Sequence, residues 1–195
     1  MRKTVIAGCA IIASFSLFLI SAASFAAEQA AAGGEKTFLK RGLYLVTVGG
    51  CNDCHSPKKM TPHGPVPDEA RLLSGYPSDE KLPEIPSNIF GPEKWGAITN
   101  NGLTAWVGPW GTSYTSNLSP DPETGTGAWN EALFIRIIRT GKFMGTGRDI
   151  LPPMPWYEYA MLRDADLKAI FAYLKSQKPV KNQVPASVPA PPPQQ

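Results

Sequence analysis

The sequence predicts an all-α fold of one ordinary domain, and three observations carry that expectation. Three separate runs place apolar residues at helical spacing. No βαβ alternation surrounds them, and the long stretch between the first two runs is rich in Pro and Gly.

The chain opens with Arg2 and Lys3, an apolar run from Val5 to about Ile20, and small residues in SAASFAAEQA. Basic, apolar, then small-x-small is the order of a secretory signal peptide. Ser24-Phe25-Ala26 fits the cut, so residues 1–26 are read as a signal peptide and residues 27–35, Ala- and Gly-rich, as a flexible lead-in. The alternative is an uncleaved signal that tethers the protein to the membrane, but the run is shorter than the ~20 residues a span needs. Cys9 follows Ile6-Ala7-Gly8 as in a lipoprotein processing box, yet most of the apolar stretch lies after it rather than before. It is therefore read as part of the signal peptide.

Residues 36–184 form the domain proper. KTFLKRGLYLVTVGG repeats Phe38, Leu39, Leu43 and Val46 at helical spacing, and Gly49-Gly50 stops the helix. Residues 56–128 are an insertion that still holds Trp95, Trp106, Trp110, Tyr76 and Tyr114, aromatics that disordered chains lack. Asn101-Gly102 between β-compatible runs predicts a two-residue hairpin turn within it. In AWNEALFIRIIRTG, Asn130 caps a second helix with the stripe Leu133, Phe134, Ile137 and Ile138, and Gly141 ends it. In RDADLKAIFAYLKSQ, Leu167, Ile170, Phe171 and Leu174 share one face of a third helix. That face is expected to dock on the first helix. Residues 185–195 read as a Pro-rich disordered tail.

Charge excludes some classes. After loss of Arg2 and Lys3, 17 basic residues face 16 acidic ones, and no run of five like charges occurs. Nothing points to a nucleic-acid partner or an anionic membrane surface.

The chemistry concentrates in GGCNDCHSP. With Cys9 removed, Cys51 and Cys54 are the two remaining cysteines, and a disulfide between them would close too small a loop to stabilise much. Zinc would need a second ligand pair at finger-like spacing, which is absent. Thiol redox motifs open a helix after a strand, whereas this one closes a helix. A C-x-x-C-H motif in an exported chain is the haem-attachment signature. Its two thiols add across two vinyl groups on one haem edge, and the adjacent His55 then reaches the iron. One motif implies one covalently attached haem c per chain.

A second axial ligand would come from Met60, His63, Met144, Met154 or Met161. Met60 and His63 follow His55 too closely to cross easily to the other haem face. Met161, beside a helix start, reads as core filler. Met144 in its Gly-rich loop stays open. Met154, in LPPMPW, is favoured because the prolines stiffen the backbone that would hold the sulfur.

These motifs, RGLYLVTVGGCNDCHSP, NLSPDPETGTGAWNEALFIRIIRTGK, ILPPMPW and DLKAIFAYLKSQKPVKNQVP, resemble the single-haem, class I-type cytochromes c. The chain looks especially similar to the cytochrome c domains that serve bacterial periplasmic dehydrogenases. The resemblance implies a cytochrome c-like helical fold around one haem, attached through Cys51 and Cys54, with His55 and Met154 as iron ligands. It also implies a proline carbonyl that accepts the histidine ring N–H, assigned to Pro65. Arg163 departs from the family's usual Thr or Ser before the last helix. The function it implies is one-electron transfer in the periplasm, without catalysis of its own. A dehydrogenase or quinol-oxidising donor and an oxidase or reductase acceptor would be its partners. The alternative is a haem enzyme or ligand sensor with a labile sixth position.

Overall fold

The computed structural model describes residues 33–190. The expected signal peptide, most of the lead-in and the last five residues of the tail lie outside them. The chain divides into two compact units, Met1–Lys40 and Arg41–Gln195. The described part of the first, residues 33–40, is helical, and so are residues 41–48 at the start of the second; residues 33–48 are called α1.

The three expected helices are present. After α1 come α2 (Cys51–His55), α3 (Glu131–Thr140), α4 (Trp156–Tyr159) and α5 (Asp164–Lys175). Asn130 caps α3, its side chain accepting from Leu133 N at 2.8 Å, and Gly141 closes it at φ 63°. Phe134, Ile137 and Ile138 are buried from its stripe. All four residues of the expected α5 face are buried. Arg163 supplies no side-chain cap; its Nε instead reaches Asp166 in the first turn at 3.2 Å.

The core is one cluster: Val46 from α1, Leu73, Phe134 and Ile138 from α3, and Leu167, Ile170, Phe171 and Leu174 from α5. Phe134 and Phe171 stack with centroids 5.2 Å apart. The crossing of α1 and α5 depends on Gly42, where a Cβ would stand 2.1 Å from the Ala169 carbonyl oxygen. Arg41 Nε pairs with the buried Asp166 carboxylate at 2.9 Å beside it.

The all-α expectation is corrected, because the chain builds two antiparallel sheets, with every described strand but one from the insertion. β1 (Lys58–Thr61) and β2 (Gly64–Pro67) form one hairpin. The other sheet runs β3 (Ile98–Thr99), β4 (Ala105–Gly108), β5 (Gly111–Tyr114), β6 (Val188–Pro189). Strands of two to four residues are too short to show an alternating pattern in sequence, yet a folded insertion must pair its backbone groups. The Asn101-Gly102 turn also differs from expectation. Pairing stops at Thr99 and Trp106, and Asn100 holds a wider turn by accepting from Thr104 N and Ala105 N at 2.9 and 3.0 Å. The two-residue connection is Pro109-Trp110, between β4 and β5. Val188–Pro189, inside the expected tail, pairs with β5.

Candidate cofactor site

The end of α1 delivers the motif. Gly50 adopts φ 65°, which lets the chain turn out of α1 and begin α2 at once. Cys51 and Cys54 are three residues apart on this single turn, so they share one face. Both are half-buried and free of any disulfide. Burial pushes the Cys51 thiol up to about 11 and raises that of Cys54 as well. Neither is a thiolate at neutral pH, so the lowered thiol pKa on which thiol–disulfide exchange relies is missing. Among the described residues, no three His, Cys, Asp or Glu side chains gather as a metal cage.

His55 ends α2. Its Nδ1 donates to the Ser116 carbonyl at 2.8 Å, which fixes the proton on Nδ1 and leaves the Nε2 lone pair available. Desolvation lowers its pKa, the Ser116 bond opposes this, and nearby Lys58 lowers it further. Its own carbonyl accepts from Gly75 N at 2.8 Å. Next to it Ser56 is fully buried, donating to Asn52 Oδ1 at 2.7 Å and accepting from Leu73 N at 2.8 Å. Lys58 Nζ donates to the carbonyls of Asn52 and Asp53, a cation over the C-terminal end of α2. The motif is thus held from both sides before any cofactor is considered.

The acceptor for His55 is therefore Ser116 and not Pro65. Pro65 lies exposed in β2, opposite Met60 across the hairpin. The hairpin leaves α2 immediately after Pro57, and the ring instead meets the chain just past β5.

Met154 is half-buried just before α4, while Met60, Met144 and Met161 are 69%, 41% and 84% exposed. Met161 is thus a surface residue and not the core filler its sequence position suggests. His63 is exposed in the β1–β2 turn. The Met154 segment is tied at both ends. Pro152 O accepts from Ser113 Oγ at 2.6 Å, and the Tyr159 hydroxyl donates to the Gly49 carbonyl, two residues before Cys51. Ser113, which reaches the Met154 segment, lies three residues before Ser116, which holds His55. Three residues of extended chain span at most about 10 Å. Cys51, Cys54, His55 and the Met154 segment are therefore brought to one neighbourhood, and Pro65 is left outside it. Ser113, Ser116 and Tyr159 carry no motif in the sequence. Their roles follow from contacts 39, 61 and 110 residues away along the chain.

No family model matches the chain. It is 42% identical over 92 residues to a subunit of the nicotinate dehydrogenase of Pseudomonas putida, covering 47% of this chain and 8% of that protein. It is 29% identical over 162 residues to the gluconate 2-dehydrogenase cytochrome c subunit of Pantoea cypripedii, covering 83% of this chain and 27% of the relative. It is 28% identical over 177 residues to the cytochrome c subunit of the quinone alcohol dehydrogenase of Gluconobacter oxydans, covering 90% and 28%. The similarity is to cytochrome c subunits of dehydrogenases and supports a cytochrome c-type family. The chain spans less than a third of the length of these relatives.

Proposed function

We propose that this chain is a one-electron carrier, a single-haem cytochrome c of class I type that serves a dehydrogenase. The observation that carries the reading is the Cys51–His55 turn. It presents two free, protonated thiols on one face and an imidazole whose Nδ1 is already engaged, leaving Nε2 to bind a metal. This donor set fits a haem c: Cys51 and Cys54 would attach it covalently, and His55 Nε2 and the Met154 thioether would hold its iron. Bound haem supplies an iron centre that exchanges one electron.

The chain's own residues do the rest. Cys51 and Cys54 fix one edge of the group. Ser116 holds the imidazole in one tautomer and orientation, the kind of outer contact that tunes a metal ligand. Met154 would be the residue to hold the iron opposite His55, and a methionine ligand would raise the potential of the bound group. Two of the named relatives are cytochrome c subunits of dehydrogenases, which supports an electron-transfer subunit rather than a catalytic one. The export signal read in residues 1–26 supports a periplasmic carrier, working between a dehydrogenase or quinol-oxidising donor and an oxidase or reductase acceptor. Among the described residues, no helix is long and apolar enough to cross a membrane.

Mass spectrometry of the denatured holoprotein tests the reading. One haem mass should stay on the chain, and Cys51→Ala with Cys54→Ala should abolish it. Zinc in place of iron, or a colourless protein from a strain that makes c-type cytochromes, would sink the proposal. Prompt carbon monoxide binding by the reduced protein would instead favour a haem enzyme or sensor with an open sixth position.

A further inference from the structure

We infer that Tyr159 and Ser113 are positioning residues for Met154: they clamp residues 152–159 at both ends and so set how readily the thioether leaves the iron. The inference rests on the His55/Met154 reading above. Residues 152–155, which lead Met154 into α4, need holding from outside, because Pro152, Pro153 and Pro155 have no N–H to donate and cannot build a ladder of their own. Ser113 holds one end through the Pro152 carbonyl, and its hydroxyl is itself fixed by Trp110 Nε1 at 3.2 Å. Tyr159 holds the other through the Gly49 carbonyl. Gly49 leaves room for it: a Cβ there would stand 3.1 and 3.2 Å from Tyr159 Cε1 and its hydroxyl oxygen, so the ring would have to shift by a few tenths of an ångström. Gly49 lies two residues before Cys51, and Ser113 lies three before Ser116. Each clamp therefore ties the Met154 side of the site to the backbone that carries the Cys51–His55 side.

The clamp makes a claim that a purely structural bond would not. Loosening either end should favour the state with the thioether off, and an added ligand captures that state. The experiment is an imidazole titration of the oxidised, haem-loaded full chain, read together with the methionine–iron charge-transfer band. One hydrogen bond is worth roughly a three- to tenfold change in an equilibrium. Tyr159→Phe and Ser113→Ala should each tighten imidazole binding by about that factor and weaken the band, and the double variant should do so further. Ser113→Thr, which keeps a hydroxyl, should restore the ordinary affinity. Tyr76→Phe removes a phenol–carbonyl bond of the same kind, to Glu80 O at 2.8 Å, and should leave the affinity unchanged. Unchanged affinity in both single variants and the double, with only the melting temperature lowered, would overturn the clamp while leaving Met154 as ligand. Absence of the charge-transfer band from the unaltered protein would overturn the Met154 assignment, and the clamp with it.

Discussion

Single residues decide which parts of the site the chain could announce in advance. Cys51, Cys54 and His55 were legible as candidates because their chemistry is local: five consecutive residues hold both thiols and the imidazole. Ser116 was not legible, because it acts through a backbone carbonyl, which any residue would offer. Met154 was separable from its rivals on stiffness alone, and exposure now separates them further. Met154→Ala should therefore lower the midpoint potential and abolish the methionine–iron band, whereas Met144→Ala, at a 41% exposed residue, should leave both intact. Redox titration and absorption spectra of the two variants check this. Asp68 gives a pH prediction. Its carboxylate accepts from Lys59, Arg71 and Ala70 N, and Lys59 first among them lowers its pKa from 3.8 to about 2. A folded-state pKa below the unfolded one means the contribution is present above about pH 4 and is lost as pH falls through about 2. Melting temperature measured against pH should thus fall less steeply between pH 4 and 2 in Asp68→Asn than in the unaltered protein.

At the level of elements, the helices were legible and the strands were not. A helix of ten or twelve residues repeats its apolar stripe and carries its own punctuation, as Asn130 and Gly141 do for α3. Strands of two to four residues repeat nothing, and their partners were fixed by turns such as the one Asn100 builds with its side chain. The α1–α5 crossing shows how a single position settles an element pair. Gly42→Ala would gain about 1 kcal/mol in helix propensity. Against that, the new methyl would overlap the Ala169 carbonyl oxygen at 2.1 Å and the Tyr173 Cβ at 2.6 Å. The first is backbone, so no rotamer change relieves it, and overpacking costs roughly 1–3 kcal/mol. The expected net result is destabilisation, seen as a lower denaturation midpoint. A rise would mean that the two helices separate without cost.

Across the whole molecule, the segment after α5 works as a strap that composition concealed. It leads into the Pro-rich stretch read as a tail, yet its polar side chains tie together stretches far apart in sequence. Asn117 Nδ2 donates to Val180 O at 2.8 Å, and Asn182 N donates to Thr124 Oγ1 at 3.0 Å. Asn182 Nδ2 donates to the carbonyls of Ser74 and Tyr76 at 2.7 and 2.8 Å, and its Oδ1 accepts from Ser78 N at 3.0 Å. These ties hold residues 74–78, and the same stretch supplies the Gly75 N–H to the His55 carbonyl. No window of sequence shows such a link, since Asn182 and Ser74 lie 108 residues apart. Asn182→Ala would strand two partly buried carbonyls and one N–H, a loss of about 1–3 kcal/mol. For a domain of this size that lowers the melting temperature by roughly 2–10 °C. The covalent attachment proposed for Cys51 and Cys54 would not depend on the strap, so the haem mass should stay on the chain. His55 should keep its Ser116 acceptor, because β5 carries that stretch from its other side, even though Tyr76 N also donates to the Thr115 carbonyl at 3.0 Å. A calorimetric scan paired with the absorption spectrum separates the two effects: lower stability with an unchanged spectrum fits a strap that braces the domain from outside the site. A shifted spectrum would mean that the strap reaches the proposed iron ligands through Gly75.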